Sequence, residues 1–326
     1  MRAFVTGGAG FIGSHIVDEL LLRDYEVTVY DNLSTGFVRH LEPALSRGEV
    51  ELVQGDILDG EGLTRAMDGA STVFHLAANA DVRGGRADTH IDLEQNLVGT
   101  HRVLEAMRTL GVKEIIFTSS AAVYGEPDRF PTSEEFAPKQ TSLYGASKLA
   151  AEAMIQAYGE YFGIRSYVFR FVSWIGERYS HGVVYDFVKK LQADQERLEI
   201  LGDGNQEKSY LYVRDGIRGI FQAREHIGGL KNVLNLGHLE YMNVRDLAAI
   251  VCDEMGLKNV SFHFAGGLRG WPGDSPFVHL DVSRVREAGF DPQVSIEQGI
   301  RLTVQYLLNN PWLPAARNRH HRHGAR

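Results

Sequence analysis

The chain of 326 residues holds a single cysteine, Cys252, which excludes an internal disulfide and any metal cluster built on thiolates. It also lacks an excess of basic charge: 34 Lys and Arg stand against 42 Asp and Glu, for a formal net charge of −8. Neutralising the phosphates of a nucleic acid requires a basic face, so no nucleic-acid partner is expected. No apolar run approaches the ~20 residues that cross a bilayer, so no membrane partner is expected either. No secretory leader is expected, because Met1-Arg2-Ala3-Phe4-Val5 leads straight into a glycine-rich motif. Repeats and low-complexity segments are missing too. What remains is ordinary globular composition, 44% hydrophobic and 23% charged. A cytoplasmic protein with a sizeable core is expected.

Short, almost continuously apolar runs alternate with amphipathic patterns through the first half. The runs cover residues 2–6, 26–30, 50–54, 72–76, 113–118 and 165–171; helical periodicity fits 13–23, 92–110 and 143–162. Strands buried on both faces read this way, and their alternation with helices predicts parallel βαβ units. The expected fold is α/β, a Rossmann-like doubly wound parallel sheet over residues 1–172. Texture changes after that point. Residues 176–185 are irregular, 201–205 form a turn cluster, and 266–274 form a further Gly-rich loop. A strand near 233–236 and helices near 243–255 and 296–308 predict a smaller α/β substrate domain over 173–314, interleaved with the first. The Arg- and His-rich stretch 315–326 is expected to be a disordered tail.

Thr6-Gly7-Gly8-Ala9-Gly10-Phe11-Ile12-Gly13 joins the first strand to the first helix. A tight turn there forces positive φ, which glycine tolerates. A diphosphate must come close to backbone N–H groups at the helix N-terminus, where the dipole favours anions, and the last glycine lets helix and sheet pack closely. Asp31 ends the second strand, 24 positions beyond Gly7. A carboxylate there accepts both ribose hydroxyls and repels a 2′-phosphate, which points to NAD rather than NADP.

Tyr144 and Lys148 lie four apart on a predicted helix and share one face. An ammonium beside the phenol, with the positive ring of a nicotinamide, is expected to pull the Tyr144 pKa down from about 10 and make it a general base. Ser120 ends the fifth strand at the carboxyl edge, where open α/β sheets place ligands, and its hydroxyl can hold a reacting oxygen.

The spacing Gly7-x-x-Gly10-x-x-Gly13, taken with Tyr144-Gly145-Ala146-Ser147-Lys148, resembles the extended short-chain dehydrogenase/reductase superfamily. Within it, residues 1–308 are most similar to the nucleotide-sugar epimerases of the UDP-glucose 4-epimerase kind. The resemblance implies a Ser120–Tyr144–Lys148 set. Tyr144 would take the proton of the sugar hydroxyl at carbon 4 as hydride passes to NAD, Ser120 would hold the oxygen, and Lys148 would bind the nicotinamide ribose. The keto-sugar would then turn and receive the hydride on its other face. The resemblance further implies an NAD pocket made by Gly7, Gly10, Phe11, Ile12, Gly13, Asp31, Asn32, Ser34, Thr35, Gly36, Asp56, Ile57, Leu76, Ala77, Ala78, Asn96, Ser119 and Val172. It implies a nucleotide-sugar partner, most simply a UDP-sugar, and a homodimer paired through the helices at 92–110 and 143–162.

Two features qualify the resemblance. Sugar dehydratases and decarboxylases of the superfamily carry acids directly after the Ser or Thr, whereas Ala121 and Ala122 cannot titrate, so dehydration is disfavoured. Implied substrate contacts are Ser120, Ser173, His181, Val183, Tyr185, Lys208, Arg269 and Asp274. Of these, Ser173 replaces the usual Asn and Lys208 the usual Arg, which loses a bidentate fork, while Trp271 falls where an Arg is customary. The expected activity is inversion at carbon 4 through transient oxidation. The alternatives are a net dehydrogenase or reductase, an epimerase of another nucleotide-sugar, or a non-catalytic NAD-binding regulator.

Overall fold

Six short apolar runs of the first half become neighbours in one parallel sheet: β1 (Arg2–Thr6), β2 (Glu26–Asp31), β3 (Val50–Gln54), β4 (Thr72–His75), β5 (Glu114–Ser120) and β6 (Arg165–Phe171). The computed structural model describes residues 1–314; the stretch 315–326, expected as a tail, lies outside the described residues. A seventh strand, Lys231–Leu236, pairs with β6, so the order is Lys231–Leu236, β6, β5, β4, β1, β2, β3. All neighbours are parallel. The chain leaves β1 toward β2 and β3 on one side, then returns to place β4 on the other. That reversal opens a crevice at the carboxyl ends of β1 and β4, the position where doubly wound sheets bind ligands.

Side chains of each strand alternate between two cores. Ala3 and Val5 face the layer made by helix α1 (Phe11–Leu22) and helix Val213–His226, whose Phe221 ring stacks 5.8 Å from Phe74. Phe4, Val73, Ile115 and Phe117 face the helices Gly60–Met67, Gly99–Leu110 and Leu143–Phe162. The last of these has explicit limits. Ser142 accepts from Gly145 N at 3.0 Å, and Gly163 ends the helix in a left-handed conformation, φ 66°.

The helix expected over 92–110 is broken into Thr89–Asp92, a π-helical turn at Leu93–Val98, and Gly99–Leu110. The second half is more regular than its composition suggests. Helices Val183–Ala193 and Val213–His226 were not evident, nor were the short pairings of Ser173–Ile175 with Tyr210–Tyr212 and of Arg197–Ile200 with Ser261–Phe264. Strand Lys231–Leu236 lies well beyond residue 172 yet completes the large sheet. Cys252 is buried in helix Val244–Glu254. Among the described residues no helix is long and apolar enough to cross a membrane.

Candidate active site

The β1–α1 turn is shaped for close approach. Gly7 has φ 71°, and a Cβ there would sit 2.7 Å from Ala77 N; a Cβ at Gly13 would sit 2.1 Å from the Gly7 carbonyl oxygen. Gly10 is the N-cap of α1 and brings no side chain to accept from the first turn. The backbone N–H groups of Phe11 and Ile12 therefore start the helix without a side-chain acceptor, at its positive end. Asp31 sits beside them, its carboxylate accepting from Ala9 N at 2.9 Å and Leu33 N at 2.8 Å. Burial pushes its pKa up, against the pull of those two backbone donors.

Around Asp31, Asn32 donates to Asp56 at 2.9 Å and accepts from Ser34 N at 3.0 Å. Ser34 and Thr35 are exposed, Gly36 packs on Ala9, and Ile57 is buried. On the other side of β1, Leu76 N and Ala77 N both donate to Thr6 Oγ1 at 3.2 Å, and Ala78 is half-buried. Asn96 lies in the π turn, an irregularity common at functional sites, accepting from Asn79 N at 2.8 Å and donating to Ser147 Oγ at 2.9 Å. A helix start with uncapped donors, a turn stripped of side chains and a carboxylate one strand away fit a dinucleotide.

Ser120 is the last residue of β5, and its Oγ accepts from Ala122 N at 3.1 Å. The Ser120 hydroxyl is near enough to the Tyr144 phenol to draw its pKa down. Lys148 lies one helical turn beyond Tyr144. It donates to the Thr118 carbonyl at 3.0 Å, with Nζ 4.8 Å from the Phe117 ring centroid. The three side chains expected to act together are thus gathered at the carboxyl edge of β5, beside the crevice.

In the protein alone their proton affinities are set mainly by burial. Burial pushes the Tyr144 phenol up to about 12; the Ser120 hydroxyl opposes this and the Asp92 charge adds to it. Burial likewise pulls Lys148 down to about 8, against the charges of Glu152 and Asp92. The expected depression of Tyr144 calls on the nicotinamide charge as well as on Lys148; in the protein alone the ammonium is held by the Thr118 carbonyl and desolvation of the phenolate dominates. Ser119, expected at the cofactor, donates its hydroxyl to Glu152. Val172 is buried and its N–H donates to the Leu236 carbonyl at 3.3 Å.

The residues expected on the substrate side are tied to one another. Lys208 Nζ and Asp274 Oδ1 are 2.5 Å apart, and Asp274 also accepts from Gly270 N at 3.0 Å. The Lys208 ammonium stands 4.8 Å from the Trp271 ring centroid and the Arg83 guanidinium 5.8 Å from it. Arg269 pairs with Glu126. This loop reaches the start of the Tyr144 helix, since Thr141 Oγ1 donates to the Gly273 carbonyl at 3.3 Å. Ser173 is exposed at the head of its strand. His181 stacks on Tyr179, which packs edge-on against Phe11, so that segment borders the start of α1. Val183 is half-buried, but Tyr185, expected on the same wall, belongs to the core, and its hydroxyl donates to the Pro314 carbonyl at 3.4 Å. Helical spacing turns Tyr185 inward with Val184 and Val188. Sequence reasoning overlooked Asp92, Glu152 and Arg170. The signal for Glu152 was its position four residues after Lys148.

The sequence profile of the NAD dependent epimerase/dehydratase family matches residues 3–237. The chain belongs to this family. A putative UDP-glucose 4-epimerase of Methanocaldococcus jannaschii is 32% identical over 94% of this chain and 98% of its own. The crystal structure of a UDP-galactose 4-epimerase superposes with a TM-score of 0.87 at 36% identity, over 96% of this chain and all of that one. The Thermus thermophilus UDP-glucose 4-epimerase, solved as a complex with NAD, gives 0.84 at 34% identity over 94% and 99%. Such epimerase/dehydratase chains depend on NAD, and the Gly7–Gly13 turn with Asp31 is the part of this chain suited to hold it.

Proposed function

We propose that the chain is an NAD-dependent epimerase that inverts carbon 4 of a nucleotide-sugar of the UDP-glucose and UDP-galactose type. The observation that carries this is the gathering of Ser120, Tyr144 and, one turn on, Lys148 at the sheet edge next to the dinucleotide turn. Bound NAD supplies a hydride acceptor that returns what it takes. Everything else is the work of side chains. Ser120 donates to the sugar oxygen at carbon 4 and fixes its direction. The Tyr144 oxygen, in its ionised form, removes that hydroxyl's proton and later gives it back to the keto oxygen of the turned sugar. Between the two steps the proton stays on Tyr144; the Lys148 ammonium and the positive ring of bound NAD would favour the ionised form it starts from. Ala121 and Ala122 offer no group for elimination, which supports oxidation and re-reduction over dehydration.

Lys208, Asp274, Ser173 and Trp271 would set which sugar and base are taken, with the nucleotide phosphates near Lys208. Exposed Tyr161 and Phe162 on the Leu143–Phe162 helix support a homodimer built on that face. A single, buried thiol suits a cytoplasmic enzyme. The test is incubation of the purified protein with UDP-galactose and, separately, UDP-glucose, without added NAD. Sustained interconversion is expected. NADH accumulating in step with product, or no turnover of any nucleotide-sugar, would overturn the proposal.

A further inference from the structure

Lys148 occupies a place hostile to its own charge. It is 3% exposed, rests against the Phe117 ring and has one backbone acceptor, the Thr118 carbonyl at 3.0 Å. A lone ammonium so placed tends to lose its proton. Two buried carboxylates act on it by their charge. Glu152, one helical turn further along, is held by Arg170 at 2.7, 3.1 and 3.2 Å and by the Ser119 hydroxyl. Asp92 comes from the helix that precedes the π turn. Its Oδ1 accepts from Asn79 at 2.9 Å and from Asn96 at 3.2 Å, and Asn96 donates on to Ser147, the neighbour of Lys148. The other Asp92 oxygen is buried with no hydrogen-bond partner. His75 from β4, held neutral by a pKa of about 3, feels the Lys148 charge; Tyr144 lies one helical turn before Lys148, and Arg170 of β6 pairs with Glu152. Two carboxylates thus stand against the Lys148 ammonium and the Arg170 guanidinium, and burial pushes the Asp92 pKa up.

We propose that Asp92 and Glu152 are positioning residues that keep Lys148 cationic at neutral pH and so preserve its grip on the cofactor ribose and its place beside Tyr144. The Glu152 network also ties the strand that ends in Ser120, through Ser119, to the helix that carries Tyr144 and Lys148. The inference rests on the epimerase reading for the role of Lys148, but its test has a readout that does not need turnover.

Asp92→Asn and Glu152→Gln remove the charges while leaving hydrogen-bonding oxygens in place. For each variant and the parent, epimerisation and the NAD dissociation constant from calorimetry are measured between pH 6 and 10. The parent loses NAD affinity and activity as pH rises through the Lys148 pKa. Each variant is expected to move this alkaline limb to lower pH by on the order of one unit, and Glu152→Asp to return it toward the parent position. A uniform loss at every pH, with a lowered melting temperature and an unmoved limb, would mean a merely structural role and overturn the proposal. If Glu152→Gln does not fold, Asp92→Asn decides alone, because its amide oxygen keeps both accepted hydrogen bonds. A parent without epimerase activity would sink the functional reading and leave the NAD-binding limb to judge this one.

Discussion

Asp31 accepts the backbone N–H of Ala9 at 2.9 Å, so the carboxylate placed to read a ribose also fastens the turn placed to hold a diphosphate. One substitution should therefore disturb both ends of the cofactor site. In Asp31→Asn, one oxygen becomes an amide donor facing Ala9 N or Leu33 N. NAD affinity should fall by about tenfold or more, the value of one charge-assisted hydrogen bond. The preference for NAD over NADP should narrow, because the repulsive charge is gone. Calorimetric titration with each dinucleotide checks this, and an unchanged NAD affinity would contradict it.

Gly13 and Gly10 should respond differently to alanine. At Gly13 the added methyl would lie 2.1 Å from the Gly7 oxygen, so backbone must move; a cost of about 1–3 kcal/mol and loss of NAD binding are expected. At Gly10 its nearest neighbour is that same oxygen at 3.2 Å. Gly10→Ala should fold almost as stably as the parent and still bind NAD less well, because the methyl stands over the helix start. Thermal melts with and without NAD separate the two cases.

Tyr144→Phe deletes the proton acceptor and keeps the ring. Turnover should fall by roughly 10²–10⁴ while NAD affinity changes little. Ser120→Ala should fall less in rate but also lose stability, on the order of 1 kcal/mol, because Ser120 Oγ satisfies Ala122 N. Steady-state rates and urea midpoints test both.

His75 is fully buried between two threonines, with Thr6 Oγ1 at 2.7 Å and Thr100 Oγ1 at 3.0 Å, and its pKa is lowered to about 3. Burial of the neutral ring is the main cause, with the Lys148 charge adding. The folded value lies below the unfolded value of 6.5, so the unfolded chain binds the extra proton. Its contribution is complete above pH 6.5 and is lost as pH falls from there toward 3. Between pH 6 and 4, urea unfolding of His75→Gln should depend on pH less steeply than the parent, by about 1.4 kcal/mol per unit. Equal slopes would show that His75 is not the group that titrates.

Much of this architecture is legible where local chemistry is explicit. Strands 2–6, 50–54 and 165–171 and the helix at 143–162 have the bounds their patterns predict, the helix because Ser142 caps it and Gly163 stops it. Helix Val213–His226 carries Gly216 and Gly219, which are poor helix formers. In the fold they allow close packing: a Cβ at Gly216 would be 2.3 Å from the Trp174 ring, and one at Gly219 would be 2.8 Å from Leu236 and Phe290. The cofactor turn and the Ser120, Tyr144 and Lys148 set were visible because each carries its own spacing. The balance of charge around them was not. Glu152 follows Lys148 by one helical turn, but Asp92 and Arg170 join this cluster only through the third dimension, and the Lys208–Asp274 pair joins residues 66 apart.

The most direct measurement uses UDP-glucose carrying deuterium at carbon 4, turned over by the holoenzyme without added NAD. If Ser120, Tyr144 and Lys148 guide a hydride out and back, UDP-galactose forms with the deuterium still on carbon 4. Product carrying protium there, or a keto-sugar that accumulates with reduced cofactor, would contradict the account.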